Sequence, residues 1–552
     1  MDASSDRLFC CRWVRNKVPT ACRDELYHIL RMTGPLLLSR ILHYLLPFVV
    51  TMFCGRLGND VMAGYGLASA AINVTTAATG CGLGLACDTL VSQTFGGKNL
   101  LRVGVILQRG IIILMLFCLP CWGLLINAEA ILLCMGQEPE VAMFLYNLQV
   151  SYLQNQGIIM PQMYTALLAN IANLATNYAF LHWMSLGVAG SAAANTLSQI
   201  YICVFLLAYI WWKKLHVNTW GGWSVESLQE WGSYMKLAIP SLLMVCFEWW
   251  VYEFGGFFAG MLSEDELAAQ HAVIMIAFIT YMFPLGIQAA ACARVGNALG
   301  AGDTARALLA SKLSLSLAVS FALVEGVVLG CTKTVIGYIF TSDENIARIV
   351  SNLMTAYCFL QLFDGLCVCT GIFLGTGKQR IPAVANFIAY YCVGLTMSVV
   401  LMFVAKLRVL GFWLGLLICV VLHSTFYIIV IFRLNWKKMT EEVFQLSSSL
   451  TIIRCLNVGM LFYNLTLNFY VVFTGLCNST RIEEEVRLQK SSRLSTTQLI
   501  IRRGLTMVTA LAFLAVGTAV HFLVPLPETG TNSTLDGINT TFTPHTTSSP
   551  VL

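Results

Sequence analysis

The side chains best placed to do chemistry lie in the stretch Glu248-Trp-Trp-Val-Tyr-Glu253, within a long apolar run. In a helix, Glu248 and Tyr252 share one face while Trp249 and Glu253 share another, so each carboxylate has an aromatic ring one turn away. Such a pair suits an organic cation, which the carboxylate holds by charge and the ring by cation–π attraction. Burial favours the neutral form of a carboxyl, so the same group can carry a proton and release it when a cation arrives. We therefore predict that protons and cations compete for Glu248 and Glu253, although either acid could instead brace a buried polar group.

Other ionisable residues also fall inside apolar runs, where a charge costs roughly 2.5 to 3.5 kcal/mol and is therefore a functional candidate. Asp364 is predicted to be a further proton or cation group, with the bracing of a neighbouring helix as the alternative. Glu325 could face a pore, a partner or the membrane interface, and the predicted site does not include it. His271 and His423 are interpreted as core histidines that bind no ligand.

The chain lacks the motifs of most enzymes and ATP-driven pumps. It has no phosphate-binding glycine loop, no nucleophile elbow and no zinc-ligand spacing. The pair Cys118-Leu-Pro-Cys121 lies in an apolar run, where cysteine packs as a small hydrophobic residue. We expect no enzymatic activity, no metal and no cofactor other than protons as the coupling ion. The expected partners are small organic cations, protons and the lipid bilayer, with no nucleic acid.

The elements that position these residues are predicted transmembrane helices. Hydrophobic residues make up 57% of the chain, charged residues make up 11%, and the mean hydropathy is +0.73. Runs near the ~20 residues needed to cross hydrocarbon recur along the chain, and each must be helical to satisfy its own backbone. We therefore predict an all-α integral membrane protein with thirteen spans. They are Thr33–Phe53, Val61–Leu85, Val103–Leu125, Val141–Tyr152, Ile158–Leu181, Val188–Trp212, Met235–Met261, Leu267–Ala293, Leu313–Gly330, Val350–Leu374, Pro382–Val404, Leu410–Phe432 and Leu505–Val524.

A repeated motif divides these spans into two halves. Gly82-Leu-Gly-Leu-Ala86 is matched 204 residues later by Gly286-Ile-Gln-Ala-Ala290, and Gly96 is matched by Gly300. Such a repeat is typical of transporters that place a site between two related bundles. Because each half has an even number of spans, both halves enter the membrane in the same sense. The predicted architecture is two parallel six-helix bundles plus one C-terminal helix.

The repeat also indicates that the fourth helix is truncated. Pro161 and Pro382 are 221 residues apart rather than 204, so the first half is 17 residues shorter in between. The shortfall falls on Val141–Tyr152, which gives only about 18 Å of helix against a hydrocarbon core of roughly 30 Å. We hypothesise a variant chain that lacks part of this helix, for example by alternative splicing, with folding or transport impaired.

The distribution of Lys and Arg orients the chain, because basic loops stay in the cytoplasm. Leu450–Cys477 is moderately apolar, but a basic loop follows it, so we interpret it as a cytoplasmic or surface segment. The Ser/Thr-rich tail is then outside, where Asn532 and Asn539 are predicted glycosylation sites. The predicted domains are a cytoplasmic N-terminus 1–32, a bundle 33–212, a cytoplasmic linker 213–234, a bundle 235–432, a cytoplasmic loop 433–504, an extra transmembrane helix 505–524 and an extracellular tail 525–552.

Several short stretches resemble the multidrug and toxin extrusion (MATE) family. The resemblance covers about Cys22–Lys438 and Thr497–Val520, and it is strongest to the animal branch of organic cation/proton antiporters of the kidney type. The stretches that carry it are Cys54-Gly-Arg-Leu-Gly58, Ala70-Ala-Ile-Asn-Val74, Cys87-Asp-Thr-Leu-Val-Ser-Gln-Thr94, Val103-Gly-Val-Ile-Leu-Gln-Arg109, Thr219-Trp-Gly-Gly-Trp-Ser224, Glu248-Trp-Trp250 and Arg294-Val-Gly-Asn-Ala-Leu-Gly-Ala-Gly-Asp303.

The resemblance implies two six-helix bundles around a central cavity, an extra C-terminal span, and efflux of organic cations in exchange for protons. It transfers proton and cation coupling to Glu248, Glu253 and Asp364, the last in place of a more usual Glu. The predicted substrate-binding residues are Trp249, Tyr252, Gln361, Asn73 and Cys54, although Cys54 could equally be a packing residue. The chain departs from the family in having Met275 where related sequences place another Glu, and Gln361 where a His is frequent.

The sequence therefore predicts a secondary active transporter that exports organic cations and cationic drugs by alternating access. It is expected in the plasma membrane, at the apical face of epithelia, with its N-terminus in the cytoplasm and its C-terminus outside. The alternatives are a sodium-coupled drug antiporter, a lipid flippase of related fold, and a transport-inactive splice variant that acts as a membrane scaffold.

Overall fold

The computed structural model describes residues 19–57, 73–125, 138–184, 187–339, 343–445 and 494–523. Within these ranges the chain is helical and contains no strand, as predicted. Thirteen of its helices correspond to the thirteen predicted spans. They are α1 Thr20–Leu57, α2 Ala78–Gly96, α3 Leu100–Leu125, α4 Glu138–Gln154, α5 Met160–Tyr178, α6 Gly187–Trp212, α7 Trp231–Gly260, α8 Glu264–Gly300, α9 Thr304–Thr332, α10 Glu344–Thr376, α11 Arg380–Val404, α12 Arg408–Arg433 and α13 Thr496–Leu523.

Ten helices of the described chain are long and apolar enough to cross a membrane. The helices outside this set are α1, α4 and α5. Of these, α4 is 17 residues long, and α5 carries Asn170, Asn173 and Asn177. Several helices also extend past the predicted spans, because turns beyond the apolar run still pack on neighbouring helices. Thus α7 begins at Trp231, inside the predicted linker 213–234, and α13 begins at Thr496, inside the predicted loop 433–504.

Side-chain caps fix where three helices of the second half begin. Ser263 accepts a hydrogen bond from the Glu266 backbone N–H at the start of α8, and Asp303 accepts one from Arg306 at the start of α9. Asp343 does the same for Asn345 at the start of α10. Caps of this kind satisfy backbone N–H groups that have no partner within the helix.

Each half of the chain has its own apolar core. In the first half, buried side chains of α2, α3, α4 and α6 form one cluster, centred on residues such as Leu148 and Leu206. In the second half, α7, α8, α10, α11 and α12 form another, around Leu353 and Trp413. The first cluster also includes side chains of α7 such as Tyr234, and smaller clusters join α1 to α8 and α2 to α7, so each bundle has a core of its own and also packs against the other.

The repeated glycines bring the two bundles into close contact. A Cβ on Gly82 of α2 would overlap the backbone of Leu242 on α7. Its counterpart Gly286 on α8 faces α1, where a Cβ would lie 3.5 Å from the Leu37 Cα atom. The contacts α2–α7 and α8–α1 are thus the same contact made once by each half, which follows from the internal repeat.

The ends of the two motifs contact each other directly. A Cβ on Gly96 would overlap the Asn297 backbone, and a Cβ on Gly300 would overlap the Gln93 backbone. Gln93 Nε2 also donates to the Gly375 carbonyl at 2.9 Å, and its repeat counterpart Asn297 donates from Nδ2 to the Asn155 carbonyl at 3.3 Å. We call these paired contacts the motif gate. They close the side of the molecule that the sequence predicts to be cytoplasmic.

An ion-pair cluster joins the bundles on the same side. Glu25 of α1 is 4% exposed and accepts hydrogen bonds from Arg294 of α8 at 2.6 and 2.7 Å and from Arg306 of α9 at 3.1 Å. Burial by itself raises the pKa of the Glu25 carboxyl, but the hydrogen bonds and charges of the two guanidinium groups outweigh it and hold the pKa below its ordinary value. Glu25 is therefore an anion that fastens the first bundle to the second.

The structure places the 17-residue shortfall within α4 itself. The helix Glu138–Gln154 is five residues longer than the predicted span, yet at about 25 Å it is half the length of its repeat partner α10. Both helices start at equivalent places in the repeat, and both are followed by a glycine with left-handed backbone, Gly157 (φ 76°) and Gly377 (φ 74°). The turns that follow the two helices therefore match, and the described part of α4 is the shorter of the two helices.

The predicted linker 213–234 is fixed to the first bundle. Gln108 of α3 donates to the Gly222 carbonyl at 2.7 Å and accepts from the Ser224 backbone N–H at 3.1 Å. Arg102 of α3 forms a salt bridge with Glu230 at 2.9 Å. The linker is therefore held against α3, and the chain passes from the first bundle to the second at the start of α7.

The thirteenth helix packs on the outside of α3. Gly123 and Gly517 let the two backbones approach closely. At its first turns, Arg503 donates to the Leu228 carbonyl at 2.9 Å and covers the Trp231 ring at 4.0 Å. The start of α13 thus lies on the same face of the molecule as the linker.

Candidate functional site

Three carboxylates gather in the second bundle: Glu248 on α7, Glu325 on α9 and Asp364 on α10. The charges of Glu248 and Glu325 both act on Asp364, which shows that the three lie within electrostatic reach of one another. Among the described residues, no Lys or Arg pairs with any of them. We call this group the acidic cluster. Three acids without a basic partner make this cluster the candidate site.

Glu248 lies on the inner side of α7 and is half-buried. The Tyr281 hydroxyl of α8 donates a hydrogen bond to Glu248 Oε1 at 2.9 Å. A hydroxyl donor stabilises a carboxylate, so this bond favours the charged form of Glu248. Its predicted role as a proton and cation group stays a prediction.

Asp364 lies where α10 is interrupted. The regular α-helix ends at Asp364 and a 3₁₀ turn follows at Gly365–Cys367 before the helix resumes. The Phe363 carbonyl, at this break, accepts a hydrogen bond from the Ser424 hydroxyl of α12 at 3.0 Å. Broken helices of this kind form substrate and ion sites in transporters because they bring polar backbone and side chains into the membrane interior.

A hydrogen bond from an amide side chain joins Glu325 to α10. Gln361 of α10 donates from Nε2 to Glu325 Oε2 at 2.5 Å. Gln361 is predicted to bind substrate, and the structure joins it to an acid on the neighbouring helix. It also lies one turn before Asp364, so a single amide stands between two carboxylates.

Aromatic side chains surround the acidic cluster. Tyr252 of α7 and Tyr357 of α10 both pack on Trp413, with ring centroids 6.5 and 5.6 Å apart. The charges of Glu248 and Asp364 act on Tyr252 and Tyr390, so these rings lie within electrostatic reach of the carboxylates. Tyr390 belongs to a π-helical segment of α11, Phe387–Leu395, and such irregular segments are frequent at functional sites. The predicted substrate-binding role of Tyr252 stays a prediction.

Glu253 and Trp249 lie apart from this group. No described residue forms a hydrogen bond or an ion pair with Glu253, and it does not act on the other carboxylates. Trp249 is 39% exposed and makes no ring contact with the cluster. The neighbouring Trp250 turns toward the first bundle, where its Nε1 donates to the Val74 carbonyl at 3.0 Å. Of the two faces of α7 that carry an acid and an aromatic residue, the Glu248–Tyr252 face belongs to the acidic cluster and the Trp249–Glu253 face does not.

The other predicted site residues are less fully described. Asn73 begins a π-helical turn, Asn73–Ala77, and Cys54 lies near the end of α1, but their side chains fall outside the description. Asn532, Asn539 and the segment Leu450–Cys477 lie outside the described residues. The Met275 sulfur accepts a hydrogen bond from the Tyr44 hydroxyl at 3.4 Å.

Sequence reasoning missed a second buried acid, Asp88 of α2. It is 6% exposed and accepts hydrogen bonds from Gln154 Nε2 at 2.9 Å and Asn155 Nδ2 at 2.6 Å. Asp88 lies just past the predicted end of the second span, so it was not counted among the membrane acids. Through Asn155, whose carbonyl meets Asn297, it supports the motif gate.

The asparagines of α5 make interhelical hydrogen bonds. Asn170 donates to the Leu42 carbonyl of α1 at 2.7 Å, and Asn173 donates to the Leu46 carbonyl at 3.2 Å. His423 packs against Tyr427 and Tyr390, as expected of a core histidine. Within the described residues, no group of His, Cys, Asp and Glu could hold a metal ion.

Comparison with known proteins gives the family. The sequence model of the MatE family matches residues 35–179 and 240–400, one stretch in each bundle. This chain belongs to the MATE family. Its sequence is 51% identical to multidrug and toxin extrusion protein 1 of Danio rerio over 462 residues, with 80% of this chain and 78% of that protein aligned. It is 42% identical to the protein of the same name from Homo sapiens, with 92% and 95% of the two chains aligned.

Solved MATE structures share the fold of this MATE transporter. A crystal structure of the eukaryotic MATE transporter AtDTX14 superimposes with a TM-score of 0.72 at 23% identity, covering 77% of this chain and all of that one. An outward-facing multidrug resistance MATE transporter gives a TM-score of 0.66 at 17% identity. The chain is therefore a multi-pass membrane transporter of the multidrug and toxin extrusion type, and this family consists of transporters rather than enzymes.

One alignment also bears on the short α4. The stretch aligned with the Danio rerio protein runs over 462 residues, which is more than the 80% of this 552-residue chain that it covers. This MATE chain therefore lacks residues that its relative has within the aligned part. A gap of this kind would account for the 17-residue shortfall in α4.

Proposed function

We propose that this transporter exports organic cations and cationic drugs in exchange for protons, with no cofactor beyond the coupled protons. The observation that supports this most is the acidic cluster, in which three carboxylates share one bundle with no basic partner among the described residues. Negative charge inside a membrane protein needs a counter-ion, and a proton or a cation supplies it.

Competition for the cluster would couple the two fluxes. Three neighbouring carboxylates repel one another when all are charged, so each proton that leaves makes a bound cation more favourable. The partly exposed ring of Tyr252 offers a face for the organic part of the cation, and the buried rings of Tyr390 and Trp413 lie on the same side of the bundle. A cation that binds thus displaces protons, and protons that return displace the cation.

Alternating access would come from the motion of one bundle against the other. The motif gate and the Glu25 ion pairs close one side, and both lie at the boundary between the two cores. We further propose the plasma membrane as the location, the apical face of epithelia as the site of sorting, a cytoplasmic N-terminus, and an extracellular tail glycosylated at Asn532 and Asn539.

The test is uptake of tetraethylammonium by proteoliposomes under an imposed pH gradient. Wild-type protein should accumulate the cation when the gradient is applied, and Glu248→Gln or Asp364→Asn should abolish that accumulation. The control is Glu344→Gln, an exposed acid in the first turn of α10, which should transport normally. Uptake that needs a sodium gradient instead would replace protons by sodium as the coupling ion, and no gradient-driven uptake would refute the exchange.

The short α4 supports a second candidate, a chain whose transport is impaired and which acts as a membrane scaffold. At about 25 Å, α4 falls short of a hydrocarbon core of roughly 30 Å. Inserting 17 apolar residues after Val141 should then raise expression and uptake. If the insertion changes neither, the short helix is a working part of this transporter.

A further inference from the structure

The contact between Glu325 and Gln361 leaves two oxygens without partners. Gln361 Nε2 donates to one Glu325 oxygen, Oε2, at 2.5 Å. The other oxygen of each group, Glu325 Oε1 and Gln361 Oε1, is buried and accepts no hydrogen bond. Gln361 is only 4% exposed, so water does not reach its amide readily.

Two unsatisfied acceptors on one pair of side chains are unfavourable. A buried polar atom without a partner costs roughly 1 to 3 kcal/mol, and more when it is charged. Both oxygens belong to planar groups that are already joined by one hydrogen bond. A single proton on Glu325 Oε1, donated to Gln361 Oε1, would satisfy both atoms and give the two-bond pairing of a carboxylic acid with a primary amide.

We infer that Glu325 is a proton-carrying residue of this transporter, neutral and paired with Gln361 in one state and charged in the other. The inference rests on the proposed proton exchange and extends it to a residue outside the predicted site. Glu325 takes the proton from solvent on one side and returns it on the other, so a proton is gained and lost without further chemistry. Gln361 is a positioning residue that holds the carboxyl group in place.

The surroundings of Glu325 make its charge matter to the site. The helices packed on α9 are α1, α8 and α10. Of their described residues, the titratable groups on which the Glu325 charge acts are Asp364 and Tyr357, both on α10, and no described basic residue pairs with Glu325. Loss of the Glu325 proton therefore adds negative charge next to Asp364, where a cation would gain from it.

A glycine lets the pair form. Gly326 follows Glu325 on α9, and a Cβ there would lie 3.2 Å from the Leu362 side chain and 3.6 Å from Gln361 Oε1. The small residue thus brings α9 close enough to α10 for the carboxyl and the amide to meet. Close packing also excludes water from the pair. A proton shared between the two oxygens can then satisfy both of them.

The decisive variant is Glu325→Gln, because two amides can keep both hydrogen bonds of the pair while the titrating group is removed. Protons released when tetraethylammonium binds are measured with a pH indicator in weakly buffered, detergent-purified protein. Glu325→Gln should release fewer protons per bound cation than the wild type and should show a weaker pH dependence of binding. The exposed control Glu344→Gln should match the wild type in both measurements.

A second measurement covers the case in which Glu325→Gln does not fold. Infrared spectra of the wild type should contain the band of a protonated carboxyl group that disappears at high pH, and Gln361→Ala should shift that band. Wild-type proton release that Glu325→Gln leaves unchanged, or a carboxyl band that Gln361→Ala does not move, overturns the inference alone. A wild type that transports tetraethylammonium without releasing protons refutes the proposed exchange and the inference together.

Discussion

At the scale of single residues, the second bundle concentrates charge without neutralising it. Glu248, Glu325 and Asp364 lie within electrostatic reach of one another, and the groups that contact them are a hydroxyl and an amide rather than ammonium or guanidinium groups. Hydrogen-bond donors tune such carboxylates individually, because each donor favours the charged form of the acid that it contacts. Tyr281 does this for Glu248, whereas the Gln361 amide donates to one Glu325 oxygen and can accept a hydrogen bond from the other when that oxygen carries a proton.

Replacing Tyr281 by phenylalanine should weaken cation binding most at acidic pH. Without the hydroxyl, the Glu248 carboxylate loses a hydrogen bond of about 1.5 kcal/mol, so protons compete better and the apparent affinity for tetraethylammonium falls about tenfold. The measurement is concentration-dependent uptake at an acidic and an alkaline pH. Tyr338→Phe, at an exposed tyrosine, serves as the control. An equal loss at both pH values would contradict the assigned role of the Tyr281 hydroxyl.

At the scale of helices, glycines decide how closely the bundles approach. Gly82 and Gly84 lie two residues apart on α2, yet only Gly82 faces the α7 backbone, while a Cβ on Gly84 meets nothing within 4 Å. The two glycines of this motif therefore have different structural roles. At Gly82 the absence of a side chain is required by a neighbour, and at Gly84 it is not.

Alanine at these two positions should have opposite effects on stability. Gly82→Ala forces α2 and α7 apart and should destabilise the protein by about 1 to 3 kcal/mol. Gly84→Ala should be neutral or stabilising by up to about 1 kcal/mol, because alanine favours the helix. Thermal unfolding of both variants in the same detergent checks this. Equal midpoints for the two variants would mean that the α2–α7 contact yields easily.

The helices could be predicted because each follows from an apolar run, and the repeat gave their grouping into bundles. Their ends were harder to predict. The apolar run of the second span stops at Leu85, but α2 continues to Gly96 because its last turns pack on the other bundle, and Asp88 was missed for that reason. The rotation of each helix was also beyond the sequence. Glu325 and Gln361 belong to different runs, and only the packing of α9 on α10 brings them together.

At the scale of the whole molecule, the side predicted to be cytoplasmic is held shut in two ways. The motif gate brings backbone against backbone at the end of α2 and α8. The Glu25 cluster adds charge, since one carboxylate of the first bundle meets two guanidinium groups of the second. The motif gate depends on close backbone packing, whereas the Glu25 cluster depends on the charge of a carboxylate and therefore on pH. The two contributions can thus be separated experimentally.

Glu25→Gln should lower the free energy of unfolding at neutral pH by about 3 kcal/mol, because Arg294 is left largely buried without its carboxylate. The pKa of Glu25 in the folded protein lies below its ordinary value. The stabilisation that the Glu25 carboxylate provides is therefore present at pH values above the ordinary pKa and is lost as the pH falls through the folded-state pKa. The gap between wild type and variant should close below about pH 4. Unfolding measured from neutral to acidic pH tests this, with exposed Glu441→Gln as the control. A gap that persists unchanged in acid would show that the ion pairs contribute nothing.

The motif gate has a consequence for how such a chain can arise. Gly96 packs against Asn297, and Gly300 packs against Gln93. Each of these contacts is the counterpart of the other in the internal repeat. A contact with this reciprocity is what two identical subunits form about a two-fold axis. A single six-helix protein that paired with a copy of itself would therefore already possess a closing surface. Fusion of two such copies would then leave each half free to change alone, and the lone carboxylates of the second bundle and the shortened α4 of the first are changes of that kind.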